Sequence, residues 1–135
     1  MALQFSTSVR NAILDAIEST TGTSAKLSIF DGSIPANCAA ADAGTALAIL
    51  SLDSDWMAAA GSGTKAKAGT WADSSANATG TADYFRLYAS DGTTCHIQGT
   101  VTATGGGGDM TVDNINFAAG QAFSITTFTL TAPGA

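Results

Sequence analysis

Basic residues are scarce in this chain. Charged residues make up 12% of its 135 residues and only five are basic, which leaves a net charge of −6 at pH 7. A nucleic-acid-binding surface needs clustered Lys and Arg side chains to neutralise phosphates, and an anionic membrane surface makes the same demand. The composition therefore predicts a protein that binds neither nucleic acid nor membrane.

Histidine and cysteine, the usual ligands of transition metals, are almost absent. His96 is the single histidine, and Cys38 and Cys95 are the only cysteines. A structural zinc site needs four such ligands, so we expect no metal and no cofactor. Cys95 and His96 are neighbours on a predicted strand, where their side chains point to opposite faces and do not form a nucleophile–base pair. We therefore expect no enzymatic activity.

The two cysteines leave two interpretations open. If they meet in space, Cys38 and Cys95 form a candidate disulfide that closes a long loop. In a reducing cytoplasm they stay as half-buried thiols. The N-terminus favours cytoplasmic synthesis, because it lacks the basic segment and continuous apolar stretch of a signal peptide. No apolar run approaches the ~20 residues of a membrane span.

Large apolar side chains are few. Hydrophobic residues make up 45% of the chain, but many of them are alanine, and aromatic residues account for only 7%. So small a supply of bulky side chains predicts a thin, two-layer β structure. The length suits a single domain, residues 1–135.

One segment has the period of an α-helix. Val9, Ile13 and Ile17 recur at helical spacing and form one apolar stripe over residues 7–20, and Gly22 follows as a C-cap. A helix of this length is marginal alone, so the stripe packs either on a sheet or on a neighbouring subunit.

From residue 25 onwards the period changes to two, which predicts short strands between Gly, Asn and Asp turns. The predicted strands are 25–30, 45–52, 68–72, 82–89, 95–104, 110–114 and 122–131. Residues 25–131 are therefore predicted to form an antiparallel β-sandwich of immunoglobulin-like or jelly-roll type. The pattern is weak over 53–81, where we expect one helical turn after Ser54, and mobility or partner contact.

The segment Asp91–Asn114, DGTTCHIQGTVTATGGGGDMTVDN, is the most informative part of the chain. Asp91-Gly92 is a strong hairpin signal, and it joins strand 82–89 to strand 95–104. Alternation along the second strand places Cys95 on the face that is predicted to meet the core.

Two motifs suggest ligand binding but are better explained as structural. Gly105–Gly108 is followed by Asp109 and a strand, whereas a phosphate-binding loop is followed by a helix, so we expect a mobile hinge. Asp53 and Asp55 lack the further oxygen ligands of a calcium loop. No metal site is predicted at either place.

Aromatic residues offer a candidate for sugar binding. Trp56, Trp71, Tyr84 and Tyr88 suit a sugar-binding platform if they share a surface. Tyr84 and Tyr88 share the predicted outer face of their strand with Arg86, so they are also candidates for a protein interface. The candidate interface residues are Val9, Ile13, Ile17, Tyr84 and Tyr88.

Four stretches together resemble a group of small proteins encoded among the structural genes of tailed bacteriophages. These stretches are LQFSTSVRNAILDAI, IFDGSIPANCAAADAG, SDWMAAA and DGTTCHIQGTVTATGGGGDMTVDN. The resemblance covers nearly the whole chain, and its most specific part is the Cys-His-x-Gln-Gly strand with the glycine run. It implies a virion component and brings no catalytic or ligand-binding residues with it.

Many small β-rich proteins of that gene neighbourhood are capsid decoration (cement) proteins, which clamp capsid subunits from outside. The resemblance thus implies a non-enzymatic virion protein on the outer capsid surface. Its expected partners are the major capsid protein and further copies of itself, as a dimer or trimer. The alternatives are another virion component, in the tail, head–tail joining region or fibre, and a glycan-binding β-sandwich module.

Overall fold

The structure, a computed structural model, describes residues 2–135 and is mainly β with one helix at the N-terminus, as predicted. The elements are α1 (Thr7–Thr21), β1 (Lys26–Phe30), β2 (Ala46–Ser51), β3 (Thr64–Ala66), β4 (Trp71–Asp73), β5 (Gly80–Thr81), β6 (Tyr84–Tyr88), β7 (Cys95–Ala103), β8 (Met110–Val112), β9 (Asn116–Phe117), β10 (Phe123–Ile125) and β11 (Thr129–Thr131). No helix among these residues is both long and apolar enough to cross a membrane.

Both ends of α1 are capped by neighbouring residues. The Ser6 Oγ accepts a hydrogen bond of 3.2 Å from the Val9 N–H, which satisfies one of the free amides of the first turn. At the other end, Gly22 has a φ of +89° and donates its N–H to the Glu18 carbonyl. The predicted helix and its glycine cap are confirmed.

The central sheet has five strands in the order β2-β1-β6-β7-β8. Strand β1 pairs antiparallel with both β2 and β6. The Asp91-Gly92 turn connects β6 to β7 as an antiparallel hairpin, as predicted. Strand β8 runs parallel to β7, so the predicted purely antiparallel arrangement is wrong at this edge.

The glycine run makes this parallel pairing possible. Parallel neighbours usually need a connection of a dozen or more residues, but only residues 104–109 separate β7 from β8. Gly105 and Gly107 have φ angles of +87° and +80°, a conformation open chiefly to glycine. The Gly108 N–H donates to Thr102 Oγ1 at 3.0 Å. The segment is a turn that contacts β7, and its predicted mobility stays a prediction.

Three two-stranded antiparallel ladders complete the fold: β3 with β11, β4 with β10, and β5 with β9. Aromatic contacts join these ladders to the central sheet. The ring centroids of Phe85 and Phe128 are 5.7 Å apart, and the two rings meet edge-on. The ring centroid of Trp71 lies 5.6 Å from that of Phe128 and 6.2 Å from that of Trp56. The core therefore lies between two layers, and the arrangement is sandwich-like.

The weakly patterned region 53–81 turns out to supply part of this core. Trp56, Met57 and Trp71 are all buried, and the segment after Ser54 forms no helical turn. The prediction of a helical turn is wrong here, because tertiary contacts rather than a regular period determine the conformation of this segment.

Candidate functional site

Helix α1 contacts the rest of the molecule through its polar side. The Arg10 Nη2 donates to the Ala132 carbonyl at 2.9 Å, and the Gly63 N–H donates to Asn11 Oδ1 at 2.8 Å. Leu14 is the apolar helix residue that is fully buried, with 1% of its surface exposed. The docking contacts are thus mainly hydrogen bonds and ion pairs.

Lys65 is the centre of this polar contact. Its Nζ lies 2.8 Å from an Asp15 oxygen and 2.9 Å from a Glu18 oxygen, and only 2% of the side chain is exposed. Burial alone lowers the pKa of Lys65, but the hydrogen bonds to the two carboxylates outweigh it and the pKa is raised. The Lys65 hydrogen bond and the Ala60 N–H lower the pKa of Asp15. Asp15 and Lys65 are therefore charged at neutral pH, and their ion pair, together with the contact between Lys65 and Glu18, holds the helix in place.

The apolar stripe of the helix faces away from the core. Val9 and Ile13 are 44% and 37% exposed, and Ile17 is half-buried. At about 100° per residue, Ile13 and Val9 lie roughly 100–140° around the helix axis from Leu14. The stripe predicted from the sequence exists, but tertiary contacts have turned it towards solvent.

Two further apolar residues precede the helix. Leu3 is 76% exposed and Phe5 is 38% exposed, and the Phe5 N–H donates to the Gly134 carbonyl at 2.8 Å. That bond fixes the segment beside the C-terminus. The N-terminal apolar surface is defined here as Leu3, Phe5, Val9, Ile13 and Ile17.

A groove of about 360 Å³ borders this surface, between α1 and the start of β7. Ile13, Ile17 and Ile97 give it an apolar lining, and His96 also lines it. His96 is exposed, as its strand position predicts. Large apolar side chains left exposed in a patch mark interaction surfaces in soluble proteins.

Tyr84 and Tyr88, the other predicted interface residues, are buried. Loop 33–44 covers the face of β6 that was predicted to be open. The Tyr84 hydroxyl donates to the Ala43 carbonyl, and the Tyr88 hydroxyl donates to Asp42 Oδ1 at 2.6 Å. Prediction of an interface at these tyrosines is wrong, because the chain itself occupies the surface.

Arg86, between the two tyrosines, is 2% exposed and anchors the loop. Its Nη1 lies 2.8 Å from Asp42 Oδ1 and donates to the Ala40 carbonyl at 2.8 Å. Its Nη2 donates to the Asn37 carbonyl at 2.9 Å, and Nε and Nη2 both donate to Gln98 Oε1. Sequence reasoning missed this cluster. The sequence did contain one indication of it, because Arg86 is the single charged residue in an otherwise apolar and aromatic strand.

The predicted sugar-binding platform is also wrong. Trp56 and Trp71 are buried, with their ring N–H groups donating to the Gly22 and Trp56 carbonyls respectively. All four aromatic side chains of the proposed platform are therefore used inside the fold.

The acidic motifs have structural contacts. Asp53 Oδ2 accepts a 3.4 Å hydrogen bond from the Thr70 N–H, and Asp109 Oδ2 accepts one of 2.9 Å from the Thr100 N–H. Within residues 2–135, no group of three or more His, Cys, Asp or Glu side chains is arranged to hold a metal ion.

Cys38 and Cys95 are half-buried free thiols. The predicted core-facing orientation of Cys95 is wrong, because a register shift between Leu87 and Tyr88 places Cys95 opposite Tyr88. It therefore lies on the face of β6 that loop 33–44 covers.

Comparison with protein-family models, with curated proteins and with solved structures finds no significant match to this chain.

Proposed function

We propose that this chain is a non-enzymatic structural protein of a tailed-bacteriophage virion. In this proposal it binds the outer surface of the major capsid protein lattice as a decoration (cement) protein and stabilises the head. The observation that supports a binding role is the N-terminal apolar surface, which the fold presents to solvent. The phage assignment is supported by the sequence resemblance.

The orientation of α1 is the physical argument for a binding role. An amphipathic helix normally buries its apolar stripe against its own domain. Here Lys65, Asp15 and Glu18 hold the opposite side inward, while Val9 and Ile13 stay exposed. Exposed apolar area costs free energy in water, about 25 cal/mol for each Å². A partner that covers the stripe removes this cost.

The rest of the chain suits contact with protein. The net charge of −6 opposes binding to nucleic acid. A decoration protein also gains from repetition, because several copies joined in a dimer or trimer bind a regular lattice with much higher avidity than one copy. The same apolar surface serves self-association or capsid contact in this proposal.

The first experiment measures copy number by quantitative mass spectrometry of purified particles. A ratio to the major capsid protein near one, or a simple fraction repeated over the lattice, supports decoration. A handful of copies per particle instead assigns the protein to the neck, tail or fibre. Absence from the particle rejects every virion role.

The second experiment tests the surface itself with Ile13→Asp. Ser8→Asp is the matched control, because it adds the same charge to an exposed position on the same helix outside the stripe. Ile13→Asp is expected to fold with a wild-type circular dichroism spectrum but to bind capsids at least 10-fold more weakly. Ser8→Asp is expected to bind normally.

Two outcomes of this comparison contradict the assigned surface. Unfolding of Ile13→Asp shows that the stripe is core, and wild-type capsid binding by a folded Ile13→Asp shows that the contact lies elsewhere. Light scattering on the same samples reports whether self-association uses the stripe.

A further inference from the structure

The pairing of β6 with β7 determines which side chains share the covered face. Gln98 lies opposite Arg86, and Cys95 lies opposite Tyr88. Between these two pairs the register shifts by one residue, as in a β-bulge. A bulge inserts an extra residue and reverses the alternation of side chains beyond it. Cys95 and Gln98 are three positions apart, yet both face loop 33–44.

Loop 33–44 brings Cys38 to the same place. Arg86 binds the carbonyls of Asn37 and Ala40 at 2.9 and 2.8 Å, which flank Cys38 in the sequence. A further hydrogen bond of 2.7 Å runs from Gln98 Nε2 to the Pro35 carbonyl. The loop is thus held against β7, and Cys38 lies close enough to Cys95 to influence the pKa of its thiol.

We propose that Cys38 and Cys95 form a reversible disulfide that locks loop 33–44 onto the central sheet. The oxidant is a small disulfide such as oxidised glutathione. One cysteine thiolate attacks a sulfur of the oxidant, and one glutathione thiolate leaves. The second cysteine loses its proton and attacks the mixed disulfide, which releases the second glutathione. The protein loses two electrons and two protons, and one glutathione disulfide becomes two glutathione thiols.

The environment of Cys95 slows its own attack on a disulfide. Burial, and then the hydrogen bond with Cys38, raise the pKa of the Cys95 thiol to about 12. The Arg86 guanidinium acts in the opposite direction, and it is partly neutralised by Asp42. Little Cys95 thiolate is therefore present at neutral pH, and the thiolate is the reactive form.

We expect the disulfide to stabilise the fold only under oxidising conditions. The pair stays reduced where glutathione keeps thiols reduced and closes in oxidising surroundings. The bond would link residues far apart in the sequence, and the stabilisation by a disulfide grows with the length of the loop that it closes. This inference does not depend on the proposed capsid partner.

The test compares the full chain in reduced glutathione with the chain equilibrated in oxidised glutathione. We expect a Cys38–Cys95 linked peptide by mass spectrometry in a monomer, and a Tm roughly 10 °C above that of the reduced protein. Amides of loop 33–44 should exchange hydrogen more slowly in the oxidised form.

Two single variants serve as controls. Cys38→Ser and Cys95→Ser should each lose the linked peptide and the oxidant-dependent rise in Tm, while the reduced wild-type protein stays folded. The proposal is overturned if oxidation yields only glutathione adducts or intermolecular dimers. It is also overturned if the linked form has an unchanged or lower Tm.

Discussion

At the scale of single residues, Arg86 has the most demanding environment. A buried guanidinium is tolerated only when its donors are satisfied and its charge is paired. Asp42 and Gln98 supply side-chain acceptors, and the carbonyls of Asn37 and Ala40 supply the others. Arg86 therefore converts a loop without regular structure into a fixed part of the domain.

Arg86→Met is expected to lower the free energy of unfolding by about 3 kcal/mol, since it removes one partner of a buried ion pair and leaves several acceptors without a donor. The measurement is urea unfolding followed by tryptophan fluorescence. Lys26→Met is the matched control, because Lys26 lies on the neighbouring strand β1 and is only half-buried; we expect a change within about 0.5 kcal/mol. Equal stability of the two variants would contradict the anchoring role.

At the scale of elements, the turn between β7 and β8 shows how glycine permits an unusual connection. A Cβ on Gly108 would lie 2.9 Å from Thr102 Cγ2 and 3.0 Å from the Thr102 backbone nitrogen. The first distance is shorter than real Cβ contacts show, and the second is tighter than nearly all of them. The glycine run is needed because the chain must pass closely over the end of β7 to reach its parallel neighbour.

Gly108→Ala is expected to destabilise the fold by about 1–3 kcal/mol, the usual cost of forcing an extra methyl group into a packed site. Gly61→Ala is the control, because a Cβ at Gly61 meets nothing within 4 Å. Thermal unfolding of both variants measures the difference. A loss no larger for Gly108→Ala than for Gly61→Ala would contradict the close packing of the turn on β7.

Element prediction succeeded where the signal is local. The helix, its Gly22 cap and the hairpin at Asp91-Gly92 depend on residues a few positions apart, and all three are confirmed. Strands β3, β5 and β9 were missed, because each has only two or three residues and is too short to show a period. Their pairing partners are distant in the sequence.

At the scale of the whole molecule, ion pairs couple stability to pH. Asp15 has a pKa below its ordinary value in the folded protein. Its ion pair therefore stabilises the fold above the unfolded pKa of about 3.9, and this stabilisation is lost as pH falls through the folded pKa. Lys65 has a raised pKa. Its stabilisation of the fold is therefore present at neutral pH and is lost only as pH rises through that raised pKa. Stability from these two groups should be level around neutrality and decline in acid.

Asp15→Asn is therefore expected to be less stable than the wild type at pH 7 and to show a shallower decline in stability between pH 4 and pH 2. Urea unfolding across that range measures both effects. Asp113→Asn is the control, as an exposed carboxylate distant in sequence from the helix, and it should keep the wild-type slope. A wild-type slope for Asp15→Asn would contradict the role of its ion pair in holding α1.

The candidate site could be predicted from the sequence only in part. The stripe of Val9, Ile13 and Ile17 was visible from its helical spacing, and the alternative that it meets another subunit was open. Which side of the helix faces inward depends on Lys65, some 50 positions away. The ion pair between Lys65 and Asp15 therefore cannot be read from any local sequence pattern.

The sequence by itself determined the mainly β class, the helix with its Gly22 cap and the central hairpin, because period and turn chemistry act between near neighbours. Tertiary structure alone decided the outward direction of the apolar stripe, the burial of Tyr84 and Tyr88 beneath loop 33–44, and the approach of Cys38 to Cys95. Each of these depends on a contact between residues that lie dozens of positions apart in the sequence. Charge, burial and strand register together determine which residues make such a contact.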